Sequence, residues 1–168
     1  MIKLRPATIS DAEAVVRVHF AAVHGPGPST FYTQDIRQSW SPSPTDECAI
    51  NRFHQTIQSK EKLLVVAELI ENTVIVGFGS VTPSEKKIGA VYVDPAFSHQ
   101  RIGSKILAHL EEFALVQGTN KLYLDASLNA ENFYCHHGYS VLEHTSHRLH
   151  SGVMIDCVKM SKELHANH

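Results

Sequence analysis

Cysteine is scarce in this 168-residue chain, with Cys48, Cys135 and Cys157 scattered and no CxxC pair among them. Such an odd, unpaired set argues against a disulfide-stapled fold and predicts reduced thiols in a cytoplasmic protein. Tryptophan occurs once, at Trp40. Neither sign of charge dominates: 15 Lys and Arg against 17 Asp and Glu leave a net charge of −2. That balance gives no electrostatic basis for binding nucleic acid or an anionic membrane. No apolar run approaches the roughly 20 residues of a membrane helix, and the N-terminus does not read as a signal peptide. Repeats, low-complexity tracts and linkers are missing as well. The expectation is therefore one domain over residues 1–168, large enough to bury a core without disulfides or metals.

Histidine, in contrast, is plentiful at twelve residues. These are scattered, with no HExxH or i, i+4 pairing, and read as surface residues. Cys135-His136-His137 is the densest group. Neighbouring helix positions point about 100° apart, so these three do not converge on one ion, and no metal is expected.

Taken in order, Ile2–Leu4 reads as a strand, and Ser10-Asp11-Ala12-Glu13 as a capping box. The helix it opens turns Val15, Val16, His19, Ala22 and Val23 to the core, and Gly25-Pro26-Gly27-Pro28 reads as a loop. A second helix is expected over Phe31–Trp40, with Tyr32, Ile36 and Trp40 on one stripe. Ser43-Pro44 suits the start of a third, whose apolar face is Ile50, Phe53 and Ile57. Leu63–Ile70 and Val74–Val81 read as an antiparallel hairpin, followed by a strand around Val91 to complete a meander. Leu122–Ala126 is a further strand, reached by a helical crossover that favours parallel pairing. A short helix, Ala130–His137, ends at Gly138, and Tyr139–Leu149 with Val153–Ser161 forms a last hairpin turning near Ser151-Gly152.

The most informative stretch is Ile88–Leu107. A β-branched run (Ile88, Val91, Val93) is stopped by Asp94-Pro95, because proline has no N–H for a sheet ladder. A polar turn, Ser98-His99-Gln100-Arg101, then leads into a helical pattern of Ile102, Ile106, Leu110, Phe113 and Ala114. Strand, turn and helix in that order leave backbone N–H groups from about Gln100 to Ser104 at a helix N-terminus, a place that favours phosphate or pyrophosphate.

Val93-Asp94-Pro95, then six residues, then Ile102-Gly103 resembles the acyl-CoA pyrophosphate loop of the GNAT superfamily of N-acetyltransferases. The family pattern is (Gln/Arg)-x-x-Gly-x-(Gly/Ala). Here Gly103 fits, while Ser98 replaces the first residue and Arg101 the first glycine. Ala130-Glu131-Asn132-Phe133-Tyr134-Cys135-His136-His137-Gly138-Tyr139 resembles the family's Ala-x-x-(Leu/Phe)-Tyr-x-x-x-Gly-Phe helix end. Val76-Gly77-Phe78-Gly79 is similar to its third strand, and Ile2–Ala7 to its first.

The resemblance implies an α/β GNAT fold, a mixed, mostly antiparallel sheet of six to seven strands flanked by helices, with fourth and fifth strands splayed around acetyl-CoA. It implies an N-acetyltransferase acting on a small-molecule or peptide amine. Val91, Tyr92 and Val93 would pair with the pantetheine arm, while the backbone of His99, Gln100, Arg101, Ile102, Gly103 and Ser104 would hold the pyrophosphate. Arg101 would either weaken that loop or fork onto a phosphate oxygen. Asn129 or Ser127 would touch the coenzyme. Tyr134 would protonate the leaving thiolate, a step suited to a phenol. Tyr32 and Trp40 would wall the acceptor side, and a homodimer would form through the terminal hairpin. The general base stays open among Glu68, Glu85, His24, His144 and an ordered water. Two rivals remain: a non-catalytic acyl-CoA-binding module, and an interaction protein that would expose an apolar patch on the Tyr32/Trp40 helix.

Overall fold

Leu63-Leu64-Val65-Val66-Ala67 is apolar at every position, and a strand of that kind is stable only with both faces covered. In the computed structural model, which describes residues 1–166, it forms β2 (Leu63–Leu69) inside a seven-stranded sheet. Leu64 and Val66 enter one apolar layer, Val65 and Ala67 the other. The first layer is closed by α1 (Ala12–Val23) and α4 (Glu47–Gln58), through Val15, Val18, Phe53 and Ile57. The second is closed by α5 (Ile102–Val116), through Ile102, Ile106, Leu107 and Leu110.

The remaining strands are β1 (Ile2–Pro6), β3 (Ile75–Thr82), β4 (Lys87–Val93), β5 (Lys121–Ser127), β6 (Ser140–Arg148) and β7 (Met154–Glu163), in the spatial order β1-β2-β3-β4-β5-β7-β6. Every pairing is antiparallel except β4 with β5. That parallel contact is a single residue pair, Lys87 with Tyr123. Just beyond it, the register with β3 passes from Val81–Ile88 to Ser80–Ala90, leaving Gly89 as an extra residue. A bulge bends its strand, and this one turns β4 away from β5 directly after their contact. A Cβ at residue 89 would stand 2.6 Å from Ser80 Oγ, so glycine suits the bulge. The mixed sheet and the splayed fourth and fifth strands agree with expectation.

Several boundaries differ from the sequence reading. The first capping box sits two residues early: the Asp11 carboxylate accepts the Thr8 N–H at 2.7 Å, and Arg5 holds that carboxylate at 2.7 Å. Gly25–Pro28 is not a loop. Gly25 caps α2 (Pro26–Phe31), whose prolines fall in the first turn, where a missing N–H has no helical partner to lose. The expected Phe31–Trp40 helix is broken at Tyr32-Thr33, and Thr33 starts α3 (Gln34–Trp40) by accepting the Ile36 N–H. The cap of α4 is Asp46, not Ser43, since its carboxylate accepts the Cys48 N–H. The short α6 (Glu131–His136) ends at Gly138, which takes the left-handed conformation at φ +91°. Among the described residues, no helix is long and apolar enough to cross a membrane.

Candidate active site

The turn after β4 is built to present backbone N–H groups. Asp94 Oδ1 accepts from the Ala96 N–H at 2.9 Å and shapes the Pro95–Phe97 turn. His99 and Arg101 then both hold φ at +62°, the left-handed region. Alternation of that kind gathers successive N–H groups into an anion-binding concavity. The first helical bond runs from the Lys105 N–H to the Arg101 carbonyl at 3.1 Å, and among the described residues the N–H groups of His99 through Ser104 have no acceptor. Left-handed backbone costs a residue with a Cβ about 1–2 kcal/mol, which is the physical reason a glycine suits position 101. The Arg101 side chain is exposed and, among the described residues, unpaired. Ser104 is part of this N–H row, while its hydroxyl is already engaged with His137 Nε2 at 2.9 Å.

Past the bulge, one edge of β4 is paired with β3 through Val91, Tyr92 and Val93, and the other faces the opening toward β5. A cavity of about 40 Å³ lies in that opening, lined by Ala90, Tyr92, Leu124, Ala126, Ser127 and Tyr134. Asn129 follows β5, and its Oδ1 is buried with no hydrogen-bond partner among the described residues. Such an acceptor is expensive to leave unpaired, and Asn129 lines neither this cavity nor the larger cleft.

Tyr134 comes from α6 and is 6% exposed, packed edge-on against Phe133 and Tyr139. Burial, then the neighbouring Tyr92, pushes its phenol above the ordinary tyrosine range. At neutral pH the proton is therefore in place on a hydroxyl at the floor of the opening.

The opening widens into a cleft of about 1190 Å³ between the sheet, α3 and α4. Its wall is aromatic: the His19 ring stands 4.7 Å from Tyr92, Trp40 stands 6.3 Å from Tyr92 and 5.6 Å from Tyr32, and Phe78 stacks on Tyr92 at 5.5 Å. Trp40 lines this cleft. Tyr32 supplies ring surface only, because its hydroxyl donates to the Asp156 carbonyl at 2.6 Å and accepts the Leu128 N–H at 2.8 Å. That phenol pins the helical segment to β7 and cannot also serve an acceptor. Sequence reasoning placed His19 in the core and missed it here; its place on the same stripe as Val15 and Val16 gave no other signal. Burial, then the charges of Arg52 and His24, holds its imidazole down at about 4, so it is neutral at pH 7.

None of the four side chains considered as general base lines the cleft. Glu68 is held by Arg5 at 2.7 Å on the far edge of the sheet, and His24 Nε2 lies 2.8 Å from the Ser41 carbonyl. His144 is exposed on β6, 3.5 Å from Glu131, and Glu85 sits in the turn before β4. Cys135 is exposed, whereas Cys157 lies in the cleft wall with its Sγ 3.4 Å from His147 Nδ1. Burial raises that thiol, which keeps it protonated.

The fold recurs in known structures. A GCN5-related N-acetyltransferase of Rhodopseudomonas palustris superposes with a TM-score of 0.83 and 25% identity, over 96% of this chain and 95% of its own. PaiA N-acetyltransferase of Thermoplasma acidophilum, in complex with coenzyme A, gives 0.78 and 20%, over 97% and 99%. A GNAT superfamily phosphinothricin acetyltransferase of Sinorhizobium meliloti, in complex with acetyl-CoA, gives 0.71 and 15%, over 97% and 88%. At the level of sequence, no curated protein matches the chain. The model of the acetyltransferase (GNAT) domain matches residues 32–164, most of the chain including the N–H concavity, the opening and the phenol, so this protein belongs to the GNAT acetyltransferase family.

Proposed function

We propose that this protein transfers an acetyl group from acetyl-CoA to a primary amine by direct attack while both substrates are bound. The observation that carries this reading is Tyr134, a buried, protonated phenol facing the opening between β4 and β5, next to a row of N–H groups that no described residue accepts from. A module that only bound acyl-CoA would have no use for that phenol. The interaction-protein alternative required an exposed Tyr32/Trp40 face, but Tyr32 is 6% exposed and Trp40 is turned into the cleft.

Acetyl-CoA supplies the activated acetyl thioester when bound. The N–H groups of residues 99–104 hold the pyrophosphate, helped by the dipole of α5. The free edge of β4 at Val91–Val93 pairs with the amides of the pantetheine arm as an added strand. The amine comes through the aromatic cleft past Trp40 and Tyr92. Its nitrogen forms the new bond to the acetyl carbon as the carbon–sulfur bond breaks, and Tyr134 gives its proton to the departing sulfur. Tyr134 recovers a proton as the amine nitrogen loses one to the cleft solvent. His19, protonated only below about pH 4, is too weak a base for an ammonium of pKa about 10 and acts as wall. Unpaired thiols at Cys48, Cys135 and Cys157 support a reducing, cytoplasmic setting.

The test pairs binding with turnover. Acetyl-CoA at about 100 times its Kd should stabilise the fold by about 2.7 kcal/mol and raise Tm by several degrees, and ATP should not. Tyr134→Phe should keep that shift while the rate of CoA thiol release with an amine falls about 100-fold or more. A variant as fast as the parent removes Tyr134 from the reaction, and an absent melting shift removes acetyl-CoA.

A further inference from the structure

Most of the charged groups that line the cleft have a partner or stand exposed at its rim, Asp156 of β7 among the exposed ones. Lys87 pairs with Asp125 at 3.4 Å, the Arg148 guanidinium donates to the Gly152 carbonyl at 3.2 Å, and the Asp46 carboxylate accepts the Cys48 N–H. Lys62 is exposed at the rim. Arg52 is different. It projects from α4 into the cleft, half-buried, and its guanidinium makes no ion pair or hydrogen bond to any described residue. Burial, and after it the charge of Arg52, holds the imidazoles of His19 and His150 below their ordinary range. A half-buried cation without an anion sits in a poor environment, and a guanidinium is shaped to take a carboxylate through two parallel N–H bonds. The rings of His19, Trp40 and Tyr92 line the same cleft, and Tyr92 also lines the smaller cavity that Tyr134 borders.

We infer that the acceptor is a primary amine that also carries a carboxylate, an amino acid with an apolar side chain, and that Arg52 is the residue that binds the carboxylate. The inference rests on the acetyl-transfer reading. The carboxylate seats on Arg52 at the α4 side, the apolar stem lies along Trp40 and Tyr92, and the amine points into the opening between β4 and β5. Arg52 touches the acceptor away from the reacting atoms, so it sets acceptor choice and KM and not the chemical step.

The experiment compares L-methionine and L-phenylalanine with 3-(methylthio)propylamine and 2-phenylethylamine, the same stems without the carboxylate, using acetyl-CoA and thiol release. A hydrogen-bonded charge pair of this kind corresponds to a preference of about 30-fold in kcat/KM for the amino acids. Arg52→Gln should erase that preference by raising KM for the amino acids about 30-fold more than for the amines, with kcat little altered, and Arg52→Lys should restore part of it by keeping the charge without the fork. Equal use of both classes by the parent protein, or an equal loss for both in Arg52→Gln, overturns the inference while leaving acetyl transfer intact. If no amine is acetylated and acetyl-CoA gives no melting shift, the acetyl-transfer reading fails instead. Arg52 is then judged by calorimetry with L-methionine: binding to the parent that Arg52→Gln abolishes upholds the carboxylate site, and equal or absent binding refutes it.

Discussion

Arg101 and His99 carry the backbone conformation that glycine adopts without penalty, and they carry it at the two places where the N–H concavity turns. The strain is held by what surrounds it: Ile102 is 2% exposed in the core, and Asp94 locks the preceding turn. Replacing Arg101 by glycine removes a cost of about 1–2 kcal/mol in the folded state and returns about 0.5–1 kcal/mol through the greater freedom of the unfolded chain. Arg101→Gly should therefore be more stable than the parent by about 0.5–1 kcal/mol, a rise in Tm of about 2–3 °C in a melting scan. A lower Tm would mean that the guanidinium holds the loop in a way its exposure does not show. The departure from the family pattern at this residue was legible in the sequence. Its consequence was not, because φ depends on where the strand ends and the helix begins.

At the scale of elements, α5 and the sheet meet through two glycines. A Cβ at Gly79 would lie 2.5 Å from an Ile106 methyl, 2.9 Å from Leu110 and 3.1 Å from the Ala90 carbonyl. Ile106 and Leu110 are fully buried, so they have no room to yield. Gly79→Ala should cost about 2–3 kcal/mol by overpacking, lowering Tm by about 5–10 °C, and should weaken acetyl-CoA binding because the start of α5 carries the N–H row. Urea unfolding of the variant at unchanged m-value checks the first part; a loss under about 0.5 kcal/mol would show that the helix can lift without penalty. The inner strands, the crossover helix and β7 were readable from periodicity because each has a face that must be buried, whereas β6 is exposed along nearly all its length. The helices between Gly25 and Asp46 were misread for the opposite reason. They are six and seven residues long and hold few buried side chains, so a cap at Thr33 or Asp46 and a proline in the first turn decide their limits.

For the molecule as a whole, β1 is tied to the rest by Arg5, which bonds Asp11 at 2.7 Å and Glu68 at 2.7 Å. The Arg5 guanidinium holds the Asp11 carboxyl down at about 2, against an ordinary value near 3.8. A carboxyl depressed in the folded state binds its proton more readily when unfolded. Its contribution is therefore complete above about pH 4 and is lost as pH falls through about 2. It amounts to about 2 kcal/mol. Unfolding free energies from urea titrations at pH 5, 4, 3 and 2 should fall more steeply for the parent than for Asp11→Asn, by about that amount in total. Parallel curves would show that the pair adds nothing to stability.

The sequence by itself determined the order of strands and helices and the strand–turn–helix that leaves N–H groups free at a helix start, because burial periodicity and turn residues are local properties; Tyr134 stood out only through the resemblance of Ala130–Tyr139 to the family's helix end. Only the tertiary structure decided the rest. The Gly89 bulge and the lone Lys87–Tyr123 contact open the sheet, and neither exists until β3, β4 and β5 are side by side. Tyr32 read as an acceptor-site tyrosine until its hydroxyl was found bonded 124 positions away, to the Asp156 carbonyl. His19 and Arg52 look like ordinary helix residues until α1 and α4 bring them to one cleft, where burial keeps the imidazole neutral and the guanidinium is left without an anion. Charge and hydrogen bonding act through space over a few ångströms, and the sequence carries that distance only once the chain has folded.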